Sequence, residues 1–433
     1  MIEGSETRTH FLDKAVAIRL IKTCIVLPIW FLARVYTLWQ IGIFTDFDRV
    51  SYFDINAYAS WSGTILQNHQ LPTEVSWQYP PGAAFIFLLP RLFVTPYQIT
   101  FIALLIAFDG AAIFALVRLA RRTNRWLGVW FWIFAIAVTG NIALLRFDII
   151  PTALVIIGLS IFAMSRSSFA FGVVVGLATA IKAWPILLLV GVPTTSRLLR
   201  VGLTAGGVLA AVFWGTFVLF GNPFAFIFNH AGRGLEIESI AATPWYIWEL
   251  LTGAPIASAV RNGSPEIVDP IADIVAHVMF GAMILLGVVV ALWWWSTRDE
   301  RRTAALSIDV IFASTLLYIG VSEVLSPQYL IWLIGIAAVG LCLPQARPTW
   351  WLAFFALAIV LNGLMVDHWS DLVTNGRPGA LLLVGRNACL GAMAVLLLGR
   401  IWRATRRHPA EHSTPDARAI TEGTAGAERM QAP

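Results

Sequence analysis

Hydrophobic runs of about twenty residues recur along this chain, each separated from the next by a short polar stretch. That is the spacing of a polytopic helical membrane protein, because a helix needs about twenty apolar residues to cross ~30 Å of hydrocarbon. The runs are continuous rather than alternating, which excludes a transmembrane β-barrel. They predict spans at 15–40, 98–119, 126–145, 149–164, 201–220, 271–295, 304–321, 328–343, 350–366 and 381–401. The run 169–193 is longer and is broken near its middle by Lys182 and Pro185, so it reads as a hairpin of two short helices with its tip outside. The fold class expected is an all-α polytopic bundle of about twelve transmembrane helices.

The same pattern divides the chain. Residues 1–14 are expected as a cytoplasmic N-terminus and 15–402 as the transmembrane domain, with external loops at 41–97 and 221–270. Residues 403–433, rich in Ala, Thr, Glu and Pro without periodicity, read as a disordered cytoplasmic tail. No small-residue cleavage site follows the first run, so it reads as an uncleaved span, kinked at Pro28. In the first external loop, 82–89 is an apolar stretch held between prolines. It is too short to cross and is expected as an interfacial or re-entrant helix.

Composition agrees. At 58% hydrophobic and 13% charged, the chain lies far from the about 45–50% and about 25% of soluble domains. The net charge of +5 does not point to nucleic acid, because the arginines cluster between spans: Arg118, Arg121, Arg122 and Arg125; Arg197 and Arg200; Arg298, Arg301 and Arg302; Arg400, Arg403, Arg406 and Arg407. Such clusters mark cytoplasmic loops and place both termini inside. Cys24, Cys342 and Cys389 all sit in apolar runs and read as small core residues. The tryptophans at 293–295 and the pair Trp245 and Trp248 read as interface anchors, the pair also as flanks of a lipid groove.

The outer ends of the spans carry the candidate chemistry. Asp46, Asp48, Asp54 and Tyr58 lie in the first external loop. Then come Arg146 and Asp148, Lys182, Arg233 with Glu236 and Glu238, Glu323 and Gln328, and finally Asp367, His368, Asp371 and Arg377. A bundle would aim these groups at one outward-facing cavity, the layout of a site where a lipid-borne substrate meets a water-borne one. Asp54 reads as a general base or as a helix cap, and Asp148 as a structural ion pair beside Arg146 or a substrate ligand. Lys182 reads as functional or as snorkelling to the interface. Glu236 and Glu238, two residues apart, share a face only if their segment is extended. His368 reads as an interfacial histidine, and Asp109, in mid-span, as neutral or paired within the bundle. No metal-ligand spacing, Gly-rich phosphate loop or Ser-His-Asp arrangement is present. No metal or cofactor is therefore expected, and the chain needs either a donor activated elsewhere or no donor at all.

The motifs, in order, carry a resemblance. Asp54-Ile-Asn-Ala-Tyr58 is followed by Tyr79-Pro80-Pro81, then Gly176-Leu-Ala-Thr-Ala-Ile-Lys182-Ala-Trp-Pro185, Arg233-Gly-Leu-Glu236-Ile-Glu238-Ser239 and Ser326-Pro327-Gln328-Tyr329-Leu-Ile-Trp332. This set resembles the glycosyltransferase-C superfamily, and within it family eighty-seven, the polyprenyl-phosphate-mannose-dependent α-mannosyltransferases of actinobacterial envelopes. The resemblance implies a glycosyltransferase-C-like bundle with interfacial helices in the first external loop. It implies inverting transfer of a sugar from a polyprenyl-phosphate donor to a hydroxyl of an envelope glycolipid or polysaccharide, on the outer face of the cytoplasmic membrane. By position it implies Asp54 as the catalytic carboxylate. Around it Tyr58, Tyr79, Arg146, Asp148, Lys182, Arg233, Glu236, Glu238, Gln328 and Arg377 are the candidate substrate-binding residues, with Lys182, Arg233 and Arg377 the candidate cations for the donor phosphate. Two departures bear on sugar and acceptor: Arg146-Phe-Asp148 stands where many members have Gly-Gln-x-Asn, and Gln328-Tyr329 where some mycobacterial relatives have adjacent histidines. An arabinofuranosyl or other hexose donor, or a lipid or sugar transporter of the flippase kind, are the alternatives.

Overall fold

The structure is a computed structural model and describes residues 3–44, 52–165, 167–230, 233–299, 302–345 and 350–406. Apolar runs become helices almost throughout. The chain begins with α1 (Glu3–Ile41), α2 (Phe53–Asn68), α3 (Gly82–Leu88), α4 (Tyr97–Thr123), α5 (Leu127–Val138) and α6 (Ile142–Leu145). It continues with α7 (Ile149–Met164), α8 (Ser168–Ile181), a 3-10 segment (Trp184–Gly191), α9 (Thr195–Phe220), α10 (Ala225–His230) and α11 (Thr243–Thr252). A hairpin of β1 (Ser258–Arg261) and β2 (Ser264–Ile267) precedes α12 (Pro270–Thr297), α13 (Ala304–Gly320), α14 (Tyr329–Leu341), α15 (Trp350–Asp367), α16 (Trp369–Thr374) and α17 (Arg377–Arg406).

Helix length sorts these elements. Among the described residues six helices are long and apolar enough to cross a membrane: Ile21–Ile41 of α1, then α4, α9, α12, α15 and Arg377–Thr405 of α17. Others are short. At 1.5 Å per residue, the 13 residues of α14 rise only about 20 Å. Its buried residues run almost without a break from Leu330 to Leu341, so neighbouring helices rather than lipid surround it. The C-terminal end of α14 lies beside the Arg-rich loops, where the Arg125 guanidinium donates to the Pro344 carbonyl at 3.4 Å. A rise of about 20 Å is shorter than ~30 Å of hydrocarbon, and Gln328 and Tyr329 mark the other end of it. Arg146, Asp148 and Lys182 mark the ends of α6, α7 and α8 at that same level.

Several expectations are refined. The span at 126–145 is broken: α5 ends at Val138, Gly140 takes φ +78°, and α6 is a separate turn. The left-handed φ needs glycine. The hairpin at 169–193 is there, but its second arm is 3-10. The short helix α3 packs into the bundle, with Ala83, Ala84 and Phe87 fully buried. Helix α1 begins at Glu3, inside the expected N-terminal segment, and α17 runs to Arg406; the tail 407–433 lies outside the described residues. Cys24 is exposed, unlike buried Cys342 and Cys389. Trp294 is buried, donating from Nε1 to the Val192 carbonyl at 2.7 Å, so it is not an interface anchor.

The segment 221–270 also adds the two strands found among the described residues. Asn262 and Gly263 both have positive φ (49° and 83°), the turn that joins two antiparallel strands with matching twist. Residues 235–237 extend alongside: the Ile267 amide donates to the Leu235 carbonyl, and Glu236 bridges Glu266.

Two contacts hold the bundle core. Asp109, fully buried in α4, accepts from Trp30 Nε1 (2.5 Å), Trp132 Nε1 (2.7 Å), Arg34 Nε (2.5 Å) and Arg34 Nη2 (3.1 Å). It is paired, as a charge at that depth must be. Where α5 crosses α14, a Cβ added to Gly128 would lie 1.8 Å from the Ala338 carbonyl oxygen. Gly128→Ala is expected to destabilise the fold by about 1–3 kcal/mol, read as an earlier thermal transition in detergent; an unchanged transition would mean the two backbones are not in contact.

Candidate active site

Asp54 sits in the first turn of α2, where the helix dipole favours a carboxylate. It is not the cap, because Tyr52 holds that position. Four residues on, and so on the same face, Tyr58 is buried and stacks on Phe87 of α3 with ring centroids 4.4 Å apart. The Asp54 Oδ2 meets Arg146 Nε at 2.6 Å. Arg146 lies in the extended break between α6 and α7, which frees its guanidinium to reach α2.

Asp148 stands two residues further on, at the start of α7, and its partner is not Arg146 as sequence adjacency suggested. Lys182 Nζ, at the end of α8, donates to Asp148 Oδ1 at 2.6 Å, and Trp332 Nε1 of α14 donates to the same oxygen at 2.6 Å. Lys182 does not snorkel. Four rings enclose its ammonium: Phe147 at 4.9 Å, Trp332 at 5.1 Å, Tyr329 at 5.2 Å and Tyr79 at 5.8 Å from their centroids. Trp184 stacks on Trp332 behind them, 5.0 Å apart and 9° from parallel. Such a box stabilises a cation whose water has been stripped away.

The two pairs differ in accessibility. The Asp54 and Arg146 side chains are 22% and 25% exposed, against 1% for Asp148. A ligand therefore meets Asp54 and Arg146 first. Burial raises the Asp54 carboxyl pKa above its ordinary value, opposed chiefly by the Arg146 charge and reinforced by that of Asp148. The shift is toward the range that suits a proton acceptor. Burial likewise pushes Tyr79 up to about 12, so its phenol stays neutral.

A second group faces the first. The segment from Arg233 is extended only as far as Glu236; Ile237 and Glu238 form a turn closed by the Ser239 amide on the Glu236 carbonyl (3.1 Å), so the shared face expected of an extended segment is not formed, although both glutamates are buried. The Glu236 amide donates to the Glu323 carbonyl (3.0 Å), and Ser326 Oγ donates to Glu236 Oε1 (3.1 Å). From α17 the Arg386 guanidinium donates to the Glu238 carbonyl, to Asn387 Oδ1 (3.1 Å) and to Asn362 Oδ1 (3.3 Å). Asn387 Nδ2 donates to Thr243 Oγ1 (2.8 Å) and the Ser239 carbonyl (3.3 Å), and Asn362 Nδ2 to the Pro327 carbonyl (3.2 Å). These three side chains clamp both polar segments to the bundle. Burial raises the pKa of both Glu236 and Glu238, and the Arg146 charge opposes the rise at each, so the two groups share one electrostatic environment.

Burial, and then the neighbouring Glu236, push Glu238 up to about 8, offset in part by Arg386 and Arg146. A carboxyl with a raised folded-state pKa favours the fold while protonated. Its contribution is full below the unfolded value of about 4.5 and is lost as pH rises to about 8. The melting temperature of the wild type is therefore expected to fall from about pH 5 to about pH 8 relative to that of Glu238→Gln. Parallel curves would remove this titration.

The remaining candidates are placed as follows. Arg233 Nη1 donates to Gln78 Oε1 (2.7 Å) and its guanidinium to Ser264 Oγ, with Glu266 at 3.9 Å, so it ties the hairpin to the loop between α2 and α3. Gln328 caps the start of α14 and is buried. Arg377 is not brought to the site: it is exposed and donates to the Leu250 carbonyl (3.2 Å). His368 pairs with Asp371 at 3.2 Å at an exposed corner, and Asp367 lines a groove between α1, α5 and α15. Trp245 donates to Asp269 Oδ2 (3.1 Å), while Trp248 is exposed. Asp46 and Asp48 lie outside the described residues. Arg386, Asn387, Asn362 and Phe147 were not anticipated. The signal for the first two was an Arg-Asn pair inside an apolar run, where a charge is costly unless used.

The family model described as glycosyltransferase family 87 matches residues 77–319. The match begins after α2, so it includes Tyr79, Arg146, Asp148, Lys182, Arg233, Glu236 and Glu238 but not Asp54. Two solved structures of ArnT from Cupriavidus metallidurans are similar at 14% identity over 91% of this chain: one bound to undecaprenyl phosphate (TM-score 0.44, 77% of that chain) and one in the apo state (TM-score 0.42, 78% of that chain). No curated protein matches the sequence.

Proposed function

The chain belongs to glycosyltransferase family 87, and from that premise we propose that it moves a sugar, mannose, from a polyprenyl-phosphate donor to a hydroxyl of an envelope glycolipid or polysaccharide, with Asp54 as general base. The observation that carries the reading is the contact of Asp54 with Arg146 at 2.6 Å, beside the Lys182–Asp148 pair. It puts a reachable carboxylate and two cations in one place.

The chemistry follows from those groups. Asp54 takes the proton of the acceptor hydroxyl as its oxygen bonds to C1 of the sugar. The bond from C1 to the phosphate oxygen breaks, and polyprenyl phosphate leaves with the electron pair. Arg146 swings from Asp54 as the carboxylate is neutralised, and Lys182 stands behind it; both are placed to stabilise the charge that grows on the phosphate. Attack opposite the leaving group inverts C1, so a β-linked donor gives an α-linked product. Arg377, held at Leu250, takes no part in this scheme. The site end of this multi-pass protein faces outside the cell membrane and the Arg-rich loops and both termini face the cytoplasm.

The test is a donor screen with the purified chain in lipid, read by the mass of the product. Mannose gain by the lipid acceptor, with polyprenyl phosphate released, is the expected result; transfer from an arabinofuranosyl donor instead would change the sugar. No transfer from any polyprenyl-phosphate sugar, with lipid movement across the bilayer in its place, would replace the enzyme by a flippase. A reporter fused within 60–75 should read outside and one within 405–415 inside.

A further inference from the structure

We propose that Glu236, Glu238, Glu323 and Gln328 form an acceptor subsite that takes an uncharged, hydroxyl-rich sugar head group and rejects a phosphorylated one. The inference rests on the transferase reading and says what the second substrate must be like.

Four oxygens carry it. Glu236 Oε2, Glu238 Oε1, Glu323 Oε2 and Gln328 Oε1 are buried with no hydrogen-bond partner, on residues only 3–4% exposed. Buried acceptors left unpaired are costly, and native proteins seldom keep several together without a ligand to meet them. These four are also held in place. The Glu236 amide is bonded to the Glu323 carbonyl, Ser326 is bonded to Glu236, and Arg386, Asn387 and Asn362 fix the backbone of both segments. Neither segment is free to turn its oxygens toward a partner of its own.

Their hydrogen-bond polarity selects the ligand. The carboxyl oxygens and the Gln328 amide oxygen accept, and Glu238, pushed up to about 8, also carries an O–H near neutral pH, so the complementary group must both donate and accept, as sugar hydroxyls do. A phosphate brings oxyanions, which accept and do not donate. The nearby cations offer it little, because Arg233, bonded to Gln78 and Ser264, is already balanced by the carboxyl groups of Glu236 and Glu266, and Arg386 is held by the Glu238 carbonyl, Asn362 and Asn387. The opposite half of the site, with Arg146 and Lys182, presents the donors that an anion needs. Hydrogen-bond polarity thus sorts the two substrates: the donor phosphate to one side and the hydroxyl-bearing acceptor to the other. Among the described residues no three His, Cys, Asp or Glu side chains are grouped so as to ligate a metal ion.

The experiment compares binding of octyl α-mannoside and its 6-phosphate to the full chain in lipid nanodiscs, by calorimetry, without donor. The neutral probe is expected to bind at least about 10-fold more tightly. Glu236→Gln and Gln328→Lys, on different segments, each add a donor and should shrink that ratio. Equal binding, tighter binding of the phosphate, binding of neither probe, or a ratio unchanged in both variants overturns the proposal. Adding polyprenyl-phosphate mannose to the same nanodiscs separates the two claims. Discrimination without transfer sinks the enzyme reading and leaves the subsite; transfer without discrimination sinks the subsite alone.

Discussion

Asp54→Asn is expected to lower transfer from a polyprenyl-phosphate sugar by about 10³-fold, within the range that a positioned base contributes, while expression and thermal stability stay near wild type. Asparagine keeps the size of the side chain and one oxygen to meet Arg146, so the contact that positions α2 survives. What it lacks is a site for the acceptor proton, and burial has already moved the wild-type carboxyl toward proton affinity. Initial rates with radiolabelled donor in membranes read the effect directly. Transfer within about tenfold of wild type would remove Asp54 from the chemistry.

Lys182→Met is expected to fail in two separable ways. The substitution fills the aromatic box but leaves Asp148, 1% exposed, without its cation. Removing one partner of a buried pair costs about 3–5 kcal/mol, so the melting temperature should drop by several degrees. Transfer should also fall, by about 10²–10³-fold, because one cation near the leaving phosphate is gone. The double variant Lys182→Met with Asp148→Asn tells the two apart. It removes the orphan charge, and the amide oxygen that Asp148→Asn leaves in place would still accept from Trp332, so stability should largely return. Transfer should not. Recovery of both would make the pair structural alone.

The long spans were legible because hydropathy over about twenty residues reports the hydrocarbon directly. What lies between them was harder to read. The run 126–145 is interrupted only by Thr139-Gly140-Asn141, too short a polar patch to lower its hydropathy, yet that is where Gly140 breaks the helix by turning left-handed. The hairpin had a plain local signal, Asn262-Gly263 between short strand-like stretches, which is easily passed over inside a loop of a helical protein. Asp54, Arg146, Asp148 and Lys182 were each identifiable as charges at the ends of apolar runs, but their pairing was not. The contact of Lys182 with Asp148 joins residues 34 apart, and that of Arg146 with Asp54 is set by α2 packing on the bundle. Arg377 was misplaced for the same reason: position at a span end fixes a level in the membrane, not the side of the bundle from which a residue projects.

The brevity of α14 has a further consequence. A lipid-linked sugar has a head that prefers water and a tail that does not leave oil, and an enzyme acting on both must settle the height at which they meet. Here residue count bears on that height: thirteen residues climb about 20 Å from the Arg125 end, about 10 Å less than the thickness of a ~30 Å slab, with Gln328 and Tyr329 at the other end. On the proposed function, the polyprenyl tail need not be lifted out for its phosphate to arrive, since sliding sideways along the leaflet is enough. Turnover should accordingly track acyl-chain length in the host bilayer, with mismatch between slab and helix slowing the encounter rather than the bond-making step.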